Sequence, residues 1–561
     1  MTRSLKEFVK SKDITLSESQ NEAINKMSNF LSSNSHCFIL KGYAGTGKTF
    51  IVALIKEYLD SIDYQTLIYT PTGRAAKVVG DRIKSPDVAM TIHRGIYSFH
   101  EFKNRMKDLN EEIKKLESKQ KEEPLHITEK NQLRNLRLEK RDLEKILKEI
   151  EIYGKGTFQL AENRDKMKSI YFVDEASMLS NKESSSKNKD VDIKFGNERF
   201  LTDLISYVDL RNALSRKIIF VGDSSQLTPV NMSYSPALSS EYISKEFGLK
   251  TDECQLTDVF RQEMESGILA NASKLRKDIS NKTYHNLNIA TDEYQDIEEI
   301  SAKDAVSTYT STYNTHNLNS NILITHSNGI ANNYNTQIRK KLFEVEDDRS
   351  KSNRLVEGER LICIQNNYHH NIFNGEFLKV IKIGKSEEKV RDMLFNALEP
   401  FDKEEWRDKA KEDDNGNLRI PITLYYRTIT VEYINSFGNL EQKELIILEN
   451  NLINPDRQLW YMNYYALFAT KNTDKNYLYP IVVKYGYAAV CHKAQGGEWD
   501  HAIIDFGTHI GLNKNTEDYF RWCYTAITRG KKKDYFVNKP HSVNQREVEK
   551  LAHLDRLLNK K

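Results

Sequence analysis

Cysteine is scarce and scattered in this chain. Its five copies, Cys37, Cys254, Cys363, Cys491 and Cys523, form no CxxC pair, which argues against structural zinc, an iron–sulfur cluster or a disulfide framework. Long apolar runs are missing too: no stretch approaches the roughly 20 residues that cross a bilayer. The opening MTRSLKEFVKSKDITLS has neither the uninterrupted apolar stretch nor the small-residue cleavage site of a secretory signal, so a cytoplasmic location is expected. Charge of one sign is also lacking, with 83 Lys and Arg against 80 Asp and Glu for a net of +3. The field of the whole molecule is therefore weak, and affinity for any polyanion has to come from a local basic track.

What is present is size and a globular balance. A chain of 561 residues is too long for one compact core, and three or four structural units are expected. With 39% hydrophobic and 29% charged residues, the composition fits neither a disordered nor a fibrous protein. Short apolar runs at Cys37 to Leu40, Thr66 to Tyr69, Ile170 to Val173, Ile218 to Val221 and Ile322 to Ile324 alternate with segments of helical spacing. That order predicts an α/β fold with parallel sheets covered on both faces. Between the second and third runs, Glu101 to Ile152 is dense in Lys and Glu, with Leu and Ile at three- and four-residue spacing and a break near Glu123-Pro124-Leu125. Two antiparallel helices are expected there, an arm inserted into the first core. A solvated coiled-coil hairpin accounts for the pattern without any chemistry.

Asn181 to Asp190 reads as a flexible loop. From about Glu344 to Pro480 the pattern becomes one of alternating apolar and aromatic strands with turn signals such as Phe373-Asn374-Gly375, a small β-rich insertion. The expected division is a first core over 1–98 and 166–260, the arm over 99–165, a second core over 261–345 and 481–540, the β-rich insertion over 346–480, and a charged helical tail over 541–561.

The octet GYAGTGKT, Gly42 to Thr49, follows a strand and opens a helix, which is the spacing and context of a phosphate-binding loop. Glycines let successive N–H groups point inward, and the helix N-terminus adds positive potential. Gly42, Ala44, Gly45, Thr46, Gly47, Lys48 and Thr49 are thus the expected nucleotide contacts, with Lys48 on the β- and γ-phosphates and Thr49 on Mg²⁺. The run IYFVDEAS sets Asp174 and Glu175 at the end of a buried strand, where the first can hold the metal's water shell and the second can activate the attacking water. Gln20 is a candidate for reading adenine. Its spacing from Ser17 also suits a helix capping box, and both readings stand.

The order TPTGRAAK (Thr70 to Lys77), TIH (Thr91 to His93), DEASM (Asp174 to Met178), GDSSQLTPV (Gly222 to Val230), LTDVFRQ (Leu256 to Gln262), CHKAQGGEW (Cys491 to Trp499) and YTAITRG (Tyr524 to Gly530) resembles that of superfamily 1 helicases. The TIH and DEASM forms look like the 5′ to 3′ branch, superfamily 1B, with its RecD-like and Dda-like members. The resemblance spans about Leu16 to Val537. It implies two RecA-like cores with ATP and Mg²⁺ between them and single-stranded DNA lying across both. By the same resemblance Arg261 and Arg529 approach the γ-phosphate, Gln226 senses it, and Glu498 contacts the ribose. Thr72, Arg74, Thr91 and His93 from the first core, and Ser327, Asn328, Arg339, His492, Lys493 and Gln495 from the second, would face the nucleic-acid backbone. Hydroxyls, amides and cations suit phosphate gripping without base reading. One departure stands out: Val490 replaces the threonine usual before the HKAQG string.

The expected activity is thus an ATP-driven helicase or translocase, able to act as a monomer on single strands and duplex junctions. The alternatives are a translocase that displaces proteins or works on RNA without useful unwinding, and a regulatory ATPase subunit for a partner nuclease. The arm is a candidate wedge or protein-partner site.

Overall fold

In the computed structural model the described residues are 4–540, apart from 84–87, 98, 125, 154–155, 184–192, 214, 259–265, 286, 316, 318, 345–354, 365–366, 368–369, 371, 396–403, 405, 415, 436, 450–451, 453–479 and 509–513. Arg261 and the expected tail at 541–561 lie outside them.

Six parallel strands make the first sheet, in the spatial order Ala89–Thr91, Gln65–Thr70, Ser169–Val173, Lys217–Gly222, Cys37–Gly42, Thr251–Leu256. Because side chains alternate along a strand, the continuous apolar runs feed two cores at once. Cys37, Ile39, Tyr171, Val173, Ile218 and Phe220 pack on one face. Phe38, Leu40, Ile170, Phe172, Ile219 and Val221 pack on the other. Burying each of the larger side chains stabilises by roughly 1.5–3 kcal/mol, so a polar residue at any of these positions would disrupt a layer.

The arm leaves this core after the short helix Ile92–Ile96 as two helices, Phe99–Glu122 and Ile127–Tyr153. They meet along Leu109, Ile113, Leu133 and Leu136. Pro124, which cannot continue a helix interior, stands in the break between them.

The second sheet is also parallel, ordered Ala488–Val490, Asn321–Thr325, Trp499–Asp505, Gly530–Val537, Ile297–Ile300. The β-rich insertion closes on itself. Phe377–Leu394 pairs with Arg360–Cys363 on one side and Leu418–Ile434 on the other, and Leu440–Leu448 and Ile481–Tyr485 complete the ring. Its interior residues Leu378, Val380, Val431 and Ile447 belong to the same buried cluster as Leu323 and Ile503 of the second sheet, so the barrel is fused to that core. Its last strand, Ile481–Tyr485, follows the expected 480/481 boundary, and the second sheet resumes at Ala488.

Asn181, expected in a flexible loop, is pinned: it accepts from Thr202 N–H and donates from Nδ2 to the Tyr242 hydroxyl at 2.8 Å. Residues 184–190 of that stretch lie outside the described residues. Among the described residues, no helix is long and apolar enough to cross a membrane.

Candidate active site in the cleft between the cores

The phosphate loop turns from Gly42 at the end of its strand into the helix Lys48–Ser61. Gly45 and Gly47 have φ of 79° and 80°, the left-handed region that glycine enters without a Cβ clash. Thr46 Oγ1 donates to Tyr43 O at 2.9 Å, and Lys48 Nζ donates to Gly42 O at 2.7 Å and Tyr43 O at 3.0 Å. The ammonium is thereby held over the loop. Gln20 takes the capping reading of its spacing. It completes the capping box with Ser17, and its Nε2 also donates to Thr46 O at 3.1 Å, so the upstream helix is fastened to the phosphate loop.

Asp174 and Glu175 follow the buried strand Ser169–Val173. Glu175 has a φ of 52°, a strained value that aims its carboxylate. Burial pushes both carboxyls above their ordinary range; Asp174 raises Glu175 further, while Arg529 and Lys48 pull it down. Those opposing charges place Lys48 from one wall and Arg529 from the other within electrostatic reach of one carboxylate. Glu175 Oε2 and Gln226 Oε1 are buried without a protein hydrogen-bond partner, and such groups in a native site await one.

Arg529 is 4% exposed. Its Nε donates to Thr525 O at 2.8 Å, Nη1 to Gly497 O at 3.1 Å and Nη2 to Thr528 Oγ1 at 3.0 Å. It is braced within the second core beside the cleft. Glu498, the expected ribose contact, pairs with Arg82 at 2.6 Å, and Arg82 also donates to Thr49 Oγ1 at 3.2 Å. A first-core arginine thus joins the Thr49 hydroxyl, the expected metal contact, to the second core. Nothing in the helical stretch around Arg82 signalled this.

The helix Glu517–Ile527 supplies contacts that motif reading reduced to Arg529 alone. Tyr524 OH donates to Asp223 Oδ2 at 2.5 Å and accepts from Ala44 N–H of the phosphate loop at 3.1 Å. Thr525 Oγ1 accepts from Leu227 N–H at 2.9 Å. Arg521 donates to the carbonyls of Ser224 and, at 3.1 Å, Gln226. Three side chains on consecutive turns thus hold 223–227 of the first core. Arg276 adds a cation over the Tyr43 ring at 4.1 Å.

The expected strand contacts divide. Thr72 Oγ1 accepts from Ala75 N–H at 3.2 Å, capping its own helix. Thr91 is buried with Oγ1 unpartnered. His93 lies among aromatic rings, 4.4 Å from Phe200 and 5.0 Å from Phe195 between centroids, and burial lowers its pKa to about 4. It is neutral near pH 7. Arg74 is inserted between cores, its guanidinium 4.5 Å from the Phe377 ring and 4.7 Å from that of Trp499, and burial lowers its pKa to about 9. Ser327 caps the helix Asn328–Phe343, and Asn328 is exposed. His492 is exposed and Lys493 half-buried, with burial lowering both pKa values.

Two expectations are corrected. Arg339 is 5% exposed, ion-paired with Glu359 and stacked 4.6 Å from Tyr485; a buried cation needs such partners, and these turn it into the second core instead of toward a strand. Gln495 is also buried, its Nε2 donating to Leu227 O at 3.3 Å, so its amide joins the cores. Val490 occupies the N-cap of the helix Cys491–Ala494 with no side-chain cap bond.

Residues 20–232 match the family model described as an AAA domain, and residues 485–537 match that of a UvrD-like helicase C-terminal domain. The Pif1 helicase of Candida albicans aligns with 97% of this chain and 99% of its own at 15% identity and a TM-score of 0.41. Pif1 from Bacteroides, solved with ADP-AlF3 and ssDNA, aligns over 97% and 98% at 14% identity and a TM-score of 0.37. An uncharacterized protein of Methanocaldococcus jannaschii, MJ1519, is 43% identical over 68 residues, 12% of this chain and 6% of that protein's length.

Proposed function

We propose that this chain is a superfamily 1B helicase that hydrolyses ATP in the cleft between its cores and uses the resulting relative movement to travel along single-stranded DNA, 5′ to 3′, and open duplexes. The observation that carries the reading is the Tyr524 hydroxyl. It lies between Ala44 N–H of the phosphate loop and Asp223 while belonging to the other core. A change at the phosphates is then felt directly by the element that must move.

The side chains fit a triphosphate and its metal. Lys48 and the inward N–H groups of the loop would bind the β- and γ-phosphates. Thr49 and Asp174 would hold Mg²⁺, which when bound neutralises phosphate charge. Glu175, with its raised pKa and unpartnered Oε2, would accept the proton of the attacking water. Gln226 Oε1, likewise unpartnered, would orient that water. Arg529 would stabilise the charge developing in transfer, an effect on the order of a thousandfold or more in related NTPases. Hydrolysis would then weaken the attraction across the cleft and let the cores part.

The test is ATP turnover with and without single-stranded DNA for the parent, Lys48→Ala and Arg529→Lys, beside unwinding of forks with 5′ or 3′ tails made of DNA or RNA. Arg529→Lys keeps the charge and loses the planar fork. Strong stimulation by the strand in the parent, loss in both variants and unwinding only from 5′ DNA tails are expected. Turnover indifferent to nucleic acid would overturn the motor reading.

A further inference from the structure

One side of the arm carries a segregation of charge that the nucleotide cleft does not use. On the helix Ile127–Tyr153, Lys130, Arg134, Arg137 and Arg141 are all exposed. They recur every three or four residues and so form a single stripe. Arg137 pairs with Glu117 of the helix Phe99–Glu122 at 2.6 Å, which brings that flank of the second helix alongside. Lys114 and Lys121, three and four residues from Glu117, are exposed there as well. The residues named are thus six exposed cations around one carboxylate, Glu117, in a chain whose total net charge is +3. The stripe is bounded at its far end by Glu144, which pairs with Lys140 at 3.8 Å. A shallow groove of about 330 Å³ runs between the helices, lined by Gln120, Leu133, Leu138 and the four stripe residues.

The arm's position gives this charge a direction. Its first helix begins shortly after Ile92–Ile96, the short helix bearing the TIH string. The root therefore stands beside residues expected at the strand, and on the returning helix Ile127–Tyr153 the basic side lies roughly 18 to 35 Å from that root at 1.5 Å per residue.

We infer that the basic side of the arm is a docking surface for the phosphate backbone of duplex DNA beyond the two cores. A hairpin held straight by its own apolar seam offers a fixed line of charges. The twelve residues from Lys130 to Arg141 span roughly 16 Å, and a DNA strand presents a phosphate about every 3.4 Å of axis, so the stripe spans about five phosphates. Arginine side chains with a polar glutamine, and no aromatic platform in the groove, suit backbone contact more than base reading. The inference rests on the proposed motor function.

The experiment neutralises the unpaired part of the stripe, Lys130→Gln, Arg134→Gln and Arg141→Gln together, and leaves the Arg137–Glu117 pair intact. Binding of the full chain is measured across a salt series on three probes: a forked duplex with a 5′ tail, the same tail alone, and a poly-glutamate peptide. Strand-stimulated ATP turnover is followed in parallel. The expected result is weaker fork binding, with the logarithmic salt slope reduced by up to about 0.9 for each phosphate that is no longer neutralised, while tail binding and stimulated turnover stay at the parent's level. Unchanged fork affinity and slope would overturn the inference, and so would a loss confined to the poly-glutamate probe, which would mark the surface as one for acidic protein. Loss of strand stimulation in the parent itself would instead count against the motor function and leave the duplex comparison to be judged on its own.

Discussion

Tyr524 both donates and accepts a hydrogen bond in the cleft, and each bond ends on the opposite core. Removing only the hydroxyl, Tyr524→Phe, leaves the ring buried and takes a donor from Asp223. A hydrogen bond to a charged group is worth about 1.5–3 kcal/mol, so strand stimulation of turnover is expected to fall about tenfold or more, while nucleotide affinity without a strand changes little. Equilibrium binding of a fluorescent nucleotide beside turnover assays checks the split. A second substitution acts in the opposite sense. Val490 sits at a helix N-cap without a cap bond, and Val490→Thr supplies the missing acceptor. A gain of about 0.5–1 kcal/mol is expected, read as a higher denaturant midpoint with an unchanged slope. Val490 stood out in the sequence because a familiar string was interrupted there. Tyr524 and Thr525 did not, although the same string contains them, because a hydroxyl's partner some 300 positions away leaves no mark on local spacing.

Among the elements, the short helix Ile92–Ile96 depends on the aromatic packing of His93 with Phe195, Phe200 and Tyr97, and with Phe373 from the barrel at 6.4 Å. Burial lowers the His93 pKa from 6.5 to about 4. The unfolded chain takes up this proton below about pH 6.5 and the folded chain only near pH 4, so this group's contribution to stability declines as pH falls through that window. The thermal midpoint is expected to drop from pH 6.5 to 4 in the parent and to drop less in His93→Phe. Sequence reading found the elements well where apolar runs were continuous. Cys37–Gly42, Ser169–Val173 and Lys217–Gly222 are buried on both faces, and only a central parallel strand demands that pattern. It did less well at Asn181, where a polar, serine-rich neighbourhood hid an amide fixed by Thr202 and Tyr242, and at Arg339, whose carboxylate partner is 20 residues away.

At the scale of the whole molecule, two cores, an arm and a β-rich insertion follow the order read from apolar patterning and the family resemblance, but the closure of the insertion into a barrel and the joints between the parts do not, since contacts across a cleft have no period. The barrel provides one such joint. At the turn after Leu418–Ile434, Gly438 has a φ of 82°, and a Cβ there would lie 2.6 Å from Lys77 N. A Cβ on Gly73 would lie 2.7 Å from Asn435 O, and Arg94 covers the Phe437 ring at 3.6 Å. The barrel turn is thus a joint of its own between the second core and the first, beside the contacts of the helix Glu517–Ile527, Arg82 with Glu498, Arg74 and Gln495. Under the proposed motor function, this turn would stay in contact while the phosphate side loosens, so a gap of a hydrogen bond's length at the nucleotide would become a larger sweep at the far end of a lever resting there.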